Sequence, residues 1–450
     1  MGEPRTKVTF GEFWRSVRHR KKRYTHVASA IIESEVFRLP ALTTVERIAL
    51  YLHFPFCVER CRYCSFVSHE GREKDIPAYI NTIKRELAER AHGQRVSSIY
   101  FGGGTPSLLP AGHLADILST IRSCFTMDES AEVTIEANPG TFDGEYLKAI
   151  RALGINRLSI GVQSLDDGVL SLLGRIHNAA QAKESVPIAR KAGFSNLNLD
   201  LIYGIPRQSI AVWRETLHDT IELGPDHISL YSLTLESDVP MHRMIARGDV
   251  AAPDSDLAAD QYELAENLLP THGYRHYEIS NWAREGVESR HNLAYWQTEP
   301  YLGIGAAAHS FIDGRRMANT ANLDEYLNAC LQDIPLPPAF DEIIDPETAL
   351  SEAIIMGLRL CKGIDPSEIR DRFGIDLAER YGGEIRELVD LGLIEREDHI
   401  LRLTRRGRLL GNEVFWRFLP HDHELAGALH ASPVPLESPS YPPFSKGDWE

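Results

Sequence analysis

Cys57, Cys61 and Cys64 sit on one short loop, Tyr51-Leu-His-Phe-Pro-Phe-Cys57-Val-Glu-Arg-Cys61-Arg-Tyr-Cys64. The Cys-x3-Cys-x2-Cys spacing brings three thiolates close together, too near and too many for simple disulfide pairing. Soft thiolates select zinc, copper(I) or an iron–sulfur cluster. Structural zinc takes four ligands, and His53 or His69 could complete such a set. A [4Fe-4S] cube normally takes four protein ligands, and three leave one iron open. An open iron can chelate the amino and carboxylate groups of a methionine. Electron transfer from the reduced cluster can then break the sulfonium carbon–sulfur bond of S-adenosylmethionine (SAM) and release a 5′-deoxyadenosyl radical. The spacing by itself leaves zinc and cluster both open.

Further motifs widen the chemistry. Gly102-Gly103-Gly104-Thr105-Pro106 allows backbone to approach a ligand with no Cβ in the way, and its N–H and C=O groups suit a methionyl amine and carboxylate. A plain turn would use the same residues. Glu136, in Glu136-Ala-Asn-Pro139, offers a carboxylate to ribose hydroxyls. Gln163, Arg175 and Asp200 complete a polar set. Singly each reads as an ordinary structural residue; together they outline a pocket for a nucleoside and an amino acid.

These residues need a frame that aligns them. Short apolar runs begin at 48–52, 98–101, 133–135, 157–160, 197–202 and 227–231, rich in β-branched and large apolar residues as buried parallel strands are. Between them, 78–91, 114–124, 144–153, 179–192 and 212–223 have helical patterning. Six strand–helix repeats predict an α/β fold, an incomplete (β/α)6 barrel built by right-handed crossovers, with a doubly wound open sheet as the alternative. The cysteine loop follows the first strand, the glycine loop the second, and Glu136 ends the third. The strand C-terminal rim is where such folds carry their sites.

The sequence divides into a basic arm (1–44), the repeat core (45–236), an aromatic- and glycine-rich extension (237–335) and a C-terminal module (336–420). A Pro-, Ser- and His-rich tail (421–450), expected to be disordered, ends the chain. In the C-terminal module, helices followed by a hairpin near 393–403 predict a helical, winged-helix-like domain. The 450 residues carry a net charge of −16, which argues against nonspecific nucleic-acid binding. A basic run, Arg15 to Arg23, reads as a solvated arm. No apolar run is long enough to span a membrane, and the N-terminus lacks a secretory apolar segment, so a cytoplasmic location is expected. Cys124, Cys330 and Cys361 are scattered and read as small core residues.

The cysteine loop, Gly-Gly-Gly-Thr-Pro-Ser, Glu-Ala-Asn-Pro-Gly, Gly-Val-Gln-Ser and Asp-Leu-Ile-Tyr-Gly-Ile-Pro together resemble the radical-SAM family of oxygen-independent coproporphyrinogen III oxidases, and most closely its haem-chaperone relatives of the HemW type. The resemblance runs from about Ile48 to Leu419. It implies cluster ligation by Cys57, Cys61 and Cys64, and SAM contacts from Tyr51, Tyr63, Gly103, Gly104, Thr105, Glu136, Gln163, Arg175 and Asp200.

Two features separate the branches. The oxidases carry a further cysteine two positions after the third ligand, where this chain has Phe66. His291-Asn292-Leu293-Ala294-Tyr295-Trp296 resembles the His-Asn-x-x-Tyr-Trp signature of the haem-binding branch. It implies haem as a further cofactor, with His291 as axial iron ligand and Tyr295 and Trp296 packed on the macrocycle. The alternative at this segment is a hydrogen-bonded histidine in an aromatic core loop. The function implied is a haem chaperone that hands haem to an acceptor protein. An oxidase, or a methyltransferase or cyclopropanase holding two SAM molecules, stays open because the arm and tail exceed the usual chaperone length. A catalytic role would add an electron donor such as flavodoxin or ferredoxin.

Overall fold

Six strands form the frame: β1 (Arg47–Phe54), β2 (Arg95–Gly103), β3 (Thr126–Ala137), β4 (Arg157–Gln163), β5 (Leu197–Tyr203) and β6 (His227–Ser232). The computed structural model describes residues 47–332 and 334–420; the expected basic arm and tail lie outside the described residues. The six strands run parallel in sequence order, joined by helices such as Ile76–Arg90, Ala111–Cys124 and Ile210–Leu223. Their cross-strand partners include Tyr51 with Tyr100, Phe101 with Ile135, Glu136 with Ser159 and Asp200 with Ser229.

The sheet continues beyond this core at both ends. After β6 come β7 (Arg275–Glu278) and β8 (Asn281–Ala283), antiparallel, with β8 next to β6. Beside β1 lies β9 (Tyr301–Ile304), parallel, followed outward by antiparallel β10 (His309–Ile312), β11 (Arg315–Asn319) and β12 (Pro338–Ile343). The α/β expectation of an incomplete barrel is met, with these strands added at its edges.

Alternation along the strands sets the character of the two faces. Ile99, Phe101, Ile135, Leu158, Ile160, Leu199 and Leu230 are fully buried and apolar. The intervening Ser98, Glu132, Thr134, Arg157, Ser159, Asn198, His227 and Ser229 form a polar face that is buried nonetheless, with Tyr100, Glu136 and Asp200 half-buried along it. Hydrogen bonds knit that face: Ser159 to Asp200 at 3.1 Å, Asn198 to Ser159 at 2.8 Å, and His227 Nδ1 against Asn198 Oδ1 at 2.6 Å.

A second buried network anchors the C-terminal end of β1. Tyr79 donates to the His53 carbonyl at 2.7 Å and accepts from the Ala306 N–H at 2.9 Å. Glu86, fully buried, accepts from Gly305 N–H (2.9 Å), Asn319 Nδ2 (2.8 Å) and Tyr326 Oη (2.6 Å), and pairs with Arg90 at 3.0 Å.

The described residues form two compact units, divided between Ile344 and Asp345. The boundary expected after residue 335 is displaced because Pro338–Ile343 pairs with β11 as an edge strand, a position that tolerates proline. The second unit holds helices Pro346–Arg359, Pro366–Phe373 and Leu377–Asp390 and an antiparallel hairpin, Ile394–Glu397 with Ile400–Leu403. This is the helical, winged-helix-like module. Cys124, Cys330 and Cys361 are half-buried, which corrects their assignment to the core.

Replacing Glu86 with Ala strands three buried donors and the Arg90 charge. We expect a loss of about 3 to 5 kcal/mol of folding stability, read as a lower urea midpoint, with Glu86→Gln recovering part of it.

Candidate cluster and SAM site

The cysteine loop leaves the end of β1 and packs against the glycine loop at the end of β2. Gly104 donates its N–H to the Phe54 carbonyl at 2.8 Å. A Cβ on Gly104 would lie 2.6 Å from the Phe56 carbonyl oxygen and 2.9 Å from Cys57 Sγ, so only glycine permits this approach. Gly103 has a left-handed φ of 116° and faces the His53 ring.

His53 is committed elsewhere: Nδ1 is 3.0 Å from the Tyr51 hydroxyl and Nε2 is 2.9 Å from the Val67 carbonyl. It is not poised as a fourth zinc ligand. Among the described residues, no three His, Cys, Asp or Glu side chains converge to hold a single metal ion. A cube, by contrast, takes each thiolate on a different iron and spreads them apart.

Cys57 is buried, and Cys61 and Cys64 are half-buried. Burial pushes the Cys57 thiol up, opposed by hydrogen bonds from Thr105 and Ser68. Burial also raises Cys64, to about 11, against a backbone hydrogen bond from Phe66. These thiols are protonated near neutrality, and metal loading must release their protons. Arg175 Nη1 donates to Cys61 Sγ at 3.3 Å and Thr105 Oγ1 to Cys57 Sγ at 3.7 Å.

Around this loop the strand ends assemble the other residues. Glu136 accepts from the Tyr100 hydroxyl at 2.9 Å and from the Gly103 N–H at 3.1 Å. Gln163 closes β4 with φ 64°, a left-handed conformation that costs roughly 1 to 3 kcal/mol outside glycine. Its buried Oε1 has no hydrogen-bond partner, as is true of Arg175 Nε. Arg175 hydrogen-bonds Tyr63, whose hydroxyl is held protonated by burial. Tyr51 stacks on Tyr100, with ring centroids 6.2 Å apart. Asp200 lies close enough to Glu136 for each strand's carboxylate to matter to the other: burial first, then Asp200, pushes Glu136 up to about 8. Tyr51, Tyr63, Gly103, Gly104, Thr105, Glu136, Gln163, Arg175 and Asp200 therefore border one region beside the three cysteines.

An unpaired buried acceptor on Gln163, a glycine cradle and acid groups suit a ligand that carries hydroxyls and positive charge. Asn138 is the residue that sequence reasoning missed: it bridges Thr105 and Arg175. Its only sequence signal was its place inside the Glu136-Ala-Asn-Pro139 motif.

The His291 segment is buried beside the polar face of the sheet. His291 is 1% exposed; Nδ1 is 2.9 Å from Ser98 Oγ and Nε2 is 2.9 Å from the Tyr295 hydroxyl. Its ring stacks on Tyr100 at 5.0 Å, and burial, then Arg157, lowers its pKa to about 3. Tyr295 packs edge-on against Tyr301, and Trp296 is buried. In this arrangement both ring nitrogens are hydrogen-bonded and the imidazole is held neutral.

Residues 51–220 match the Radical SAM superfamily model and residues 344–410 the HemN C-terminal domain model. The heme chaperone HemW of Lactococcus lactis subsp. lactis (strain IL1403) is 34% identical over 372 residues, spanning 83% of this chain and 97% of that protein. The chain belongs to the HemW family of radical SAM proteins. The HemW of Bacillus subtilis (strain 168) is 32% identical over 82% of this chain and 98% of its own length. Among solved structures, the coproporphyrinogen III oxidase HemN of Escherichia coli, a radical SAM enzyme, aligns with TM-score 0.73 at 25% identity, covering 83% of this chain and 90% of that chain. Membership in the radical SAM superfamily implies a [4Fe-4S] cluster and SAM, and the donor set described above fits both. No helix among the described residues is long and apolar enough to cross a membrane.

Glu136 yields a signed pH test. Its folded pKa, about 8, lies above the unfolded value of roughly 4.3. Its contribution to stability is fully present below the unfolded value and is lost as pH rises through the folded one. Glu136→Gln, fixed neutral, should therefore gain stability relative to the parent between about pH 5 and about pH 9, in urea titrations of the protein without SAM. A gap that stays constant with pH would refute the assignment. The same substitution is expected to weaken SAM binding.

Proposed function

We propose that the chain is a haem chaperone that holds a [4Fe-4S] cluster on Cys57, Cys61 and Cys64, binds SAM beside it, and passes haem to an acceptor protein. The observation that carries this reading is the end-to-end relation to heme chaperones. Phe66, where the oxidase branch has cysteine, supports it. When bound, the reduced cluster supplies an electron to SAM; the chain's own residues position and shield that pair. Glu136 and Asp200 would take the ribose hydroxyls, Gln163 would offer its unpaired acceptor, and the glycine loop would bring backbone to the methionyl end. Six free cysteines accord with the reducing cytoplasm.

On this reading His291 would serve haem through Nε2. Ser98 holds Nδ1, as a second partner orients a ligating histidine through its far nitrogen. Nε2 becomes available once the Tyr295 hydroxyl gives it up and the buried face opens. Haem binding at this segment thus competes with one hydrogen bond.

Anaerobically reconstituted protein titrated with haem should bind about one equivalent, and transfer it to an apo-haem protein such as apomyoglobin. His291→Ala should weaken binding by tenfold or so, and Tyr295→Phe, which removes the competing hydroxyl but keeps the ring, should strengthen it. Unaltered affinity in His291→Ala would remove His291 from the haem site. Formation of vinyl-bearing product from coproporphyrinogen, SAM and reductant would replace the chaperone reading with the oxidase one.

A further inference from the structure

Arg175 can only donate hydrogen bonds. Its Nη1 reaches Cys61 Sγ, while Nη2 reaches the Gly161 carbonyl at 2.8 Å and Asn138 Oδ1. The guanidinium therefore fixes which way the Asn138 amide points. Oδ1 must face Arg175, and Nδ2 donates to Thr105 Oγ1 at 3.0 Å. A threonine hydroxyl has a single hydrogen. With Asn138 donating to its oxygen, that hydrogen is directed to Cys57 Sγ.

Asn138 itself is pinned. Its carbonyl accepts from Thr141 Oγ1 at 2.7 Å and its N–H donates to Ser107 Oγ at 3.4 Å. A Cβ at Gly161 would stand 2.7 Å from Asn138 Oδ1, so the β4 backbone is kept bare where the amide sits.

We propose that Asn138 is a positioning residue that links Arg175 to Cys57, so that one guanidinium polarises two of the three cluster thiolates, Cys61 directly and Cys57 through Asn138 and Thr105. Cys64 stands apart from this relay, with its hydrogen bond from the Phe66 backbone. Hydrogen bonds to cluster sulfurs favour the reduced cluster. The network therefore raises the reduction potential, and it does so unequally over the three ligated corners. The inference rests on the cluster reading above.

The test uses the full chain, anaerobically reconstituted, with iron and sulfide assayed first and the midpoint potential then read from a redox titration followed by electron paramagnetic resonance. Asn138→Leu keeps the volume and removes both hydrogen bonds; Thr105→Val removes the hydroxyl; Thr105→Ser restores it. Both Asn138→Leu and Thr105→Val should lower the potential, the double variant should fall no further than the lower single one, and Thr105→Ser should match the parent. A parental potential in iron-replete Asn138→Leu, or shifts that simply add in the double variant, overturns the proposal. If Asn138→Leu takes up no iron, the Thr105 pair decides: a lowered potential in Thr105→Val with recovery in Thr105→Ser supports it, and a parental potential in Thr105→Val overturns it. A parent protein that binds no iron or sulfide would sink the cluster reading itself, and this inference with it.

Discussion

One guanidinium, cut off from water, governs the interior of the barrel. Arg157 is 2% exposed, on a face shared with Glu132, Glu136 and Asp200. Burial works against its charge, and Glu132, Tyr100, Tyr277 and Asp200 together outweigh that burial. The same cation helps keep His227 and His291 neutral, after burial itself. Removing carboxylates from water costs several kcal/mol each unless they are paired, and the carboxylates here are under-compensated: Glu136 and Asp200 are both pushed up, burial first. Such an interior is costly for a protein on its own. It suits a ligand that arrives with positive charge, and SAM brings two cationic centres, its ammonium and its sulfonium. The polar lining is thus a store of unfavourable energy that a cationic cofactor relieves.

The cysteine loop faces the opposite electrostatic problem. Thiolates must be stabilised where burial raises their pKa. Donors do this from the rim: Thr105 just after β2 and Asn138 just after β3, with Arg175 beyond the helix Asp167–Leu173 that follows β4. Three strands cooperate because each C-terminal end projects only a residue or two into the same region. The network around Tyr79 and Glu86 holds the fourth edge, fixing the end of β1 from which the loop departs.

Much of this was legible in the chain. The six strands fell at the apolar runs, and the motif residues fell at their ends, because a parallel β/α unit delivers every loop to one rim. The polar inner face was visible only in part: Ser98, Thr134, Ser159, Asn198 and Ser229 sit inside runs whose apolar partners dominate the pattern. Asn138 escaped because its partners lie 33 and 37 positions away on other strands. The His291 motif was recognisable, but not its burial, since Ser98, 193 positions distant, supplies the bond to its ring. The strand Pro338–Ile343 carries little apolar signal in the sequence, because of its proline and its half-exposed alternation.

Tyr100 makes the two ends of the site inseparable. Its hydroxyl holds Glu136, whose other oxygen holds the Gly103 N–H of the glycine loop. Its ring packs in a triangle with Tyr51, at 6.2 Å, and His291, at 5.0 Å, which are 6.3 Å from each other. A close-packed interior does not let one of these rings shift alone. Any opening that frees His291 Nε2 for haem iron must disturb the packing on Tyr100, and through it the carboxylate and backbone proposed to hold SAM. Linkage makes such a coupling reciprocal: a ligand that fixes Glu136 and Gly103 also biases the state of His291, and by the same free energy. On the proposed function, SAM binding at Glu136 and Gly103 and opening of the His291 segment both act on Tyr100.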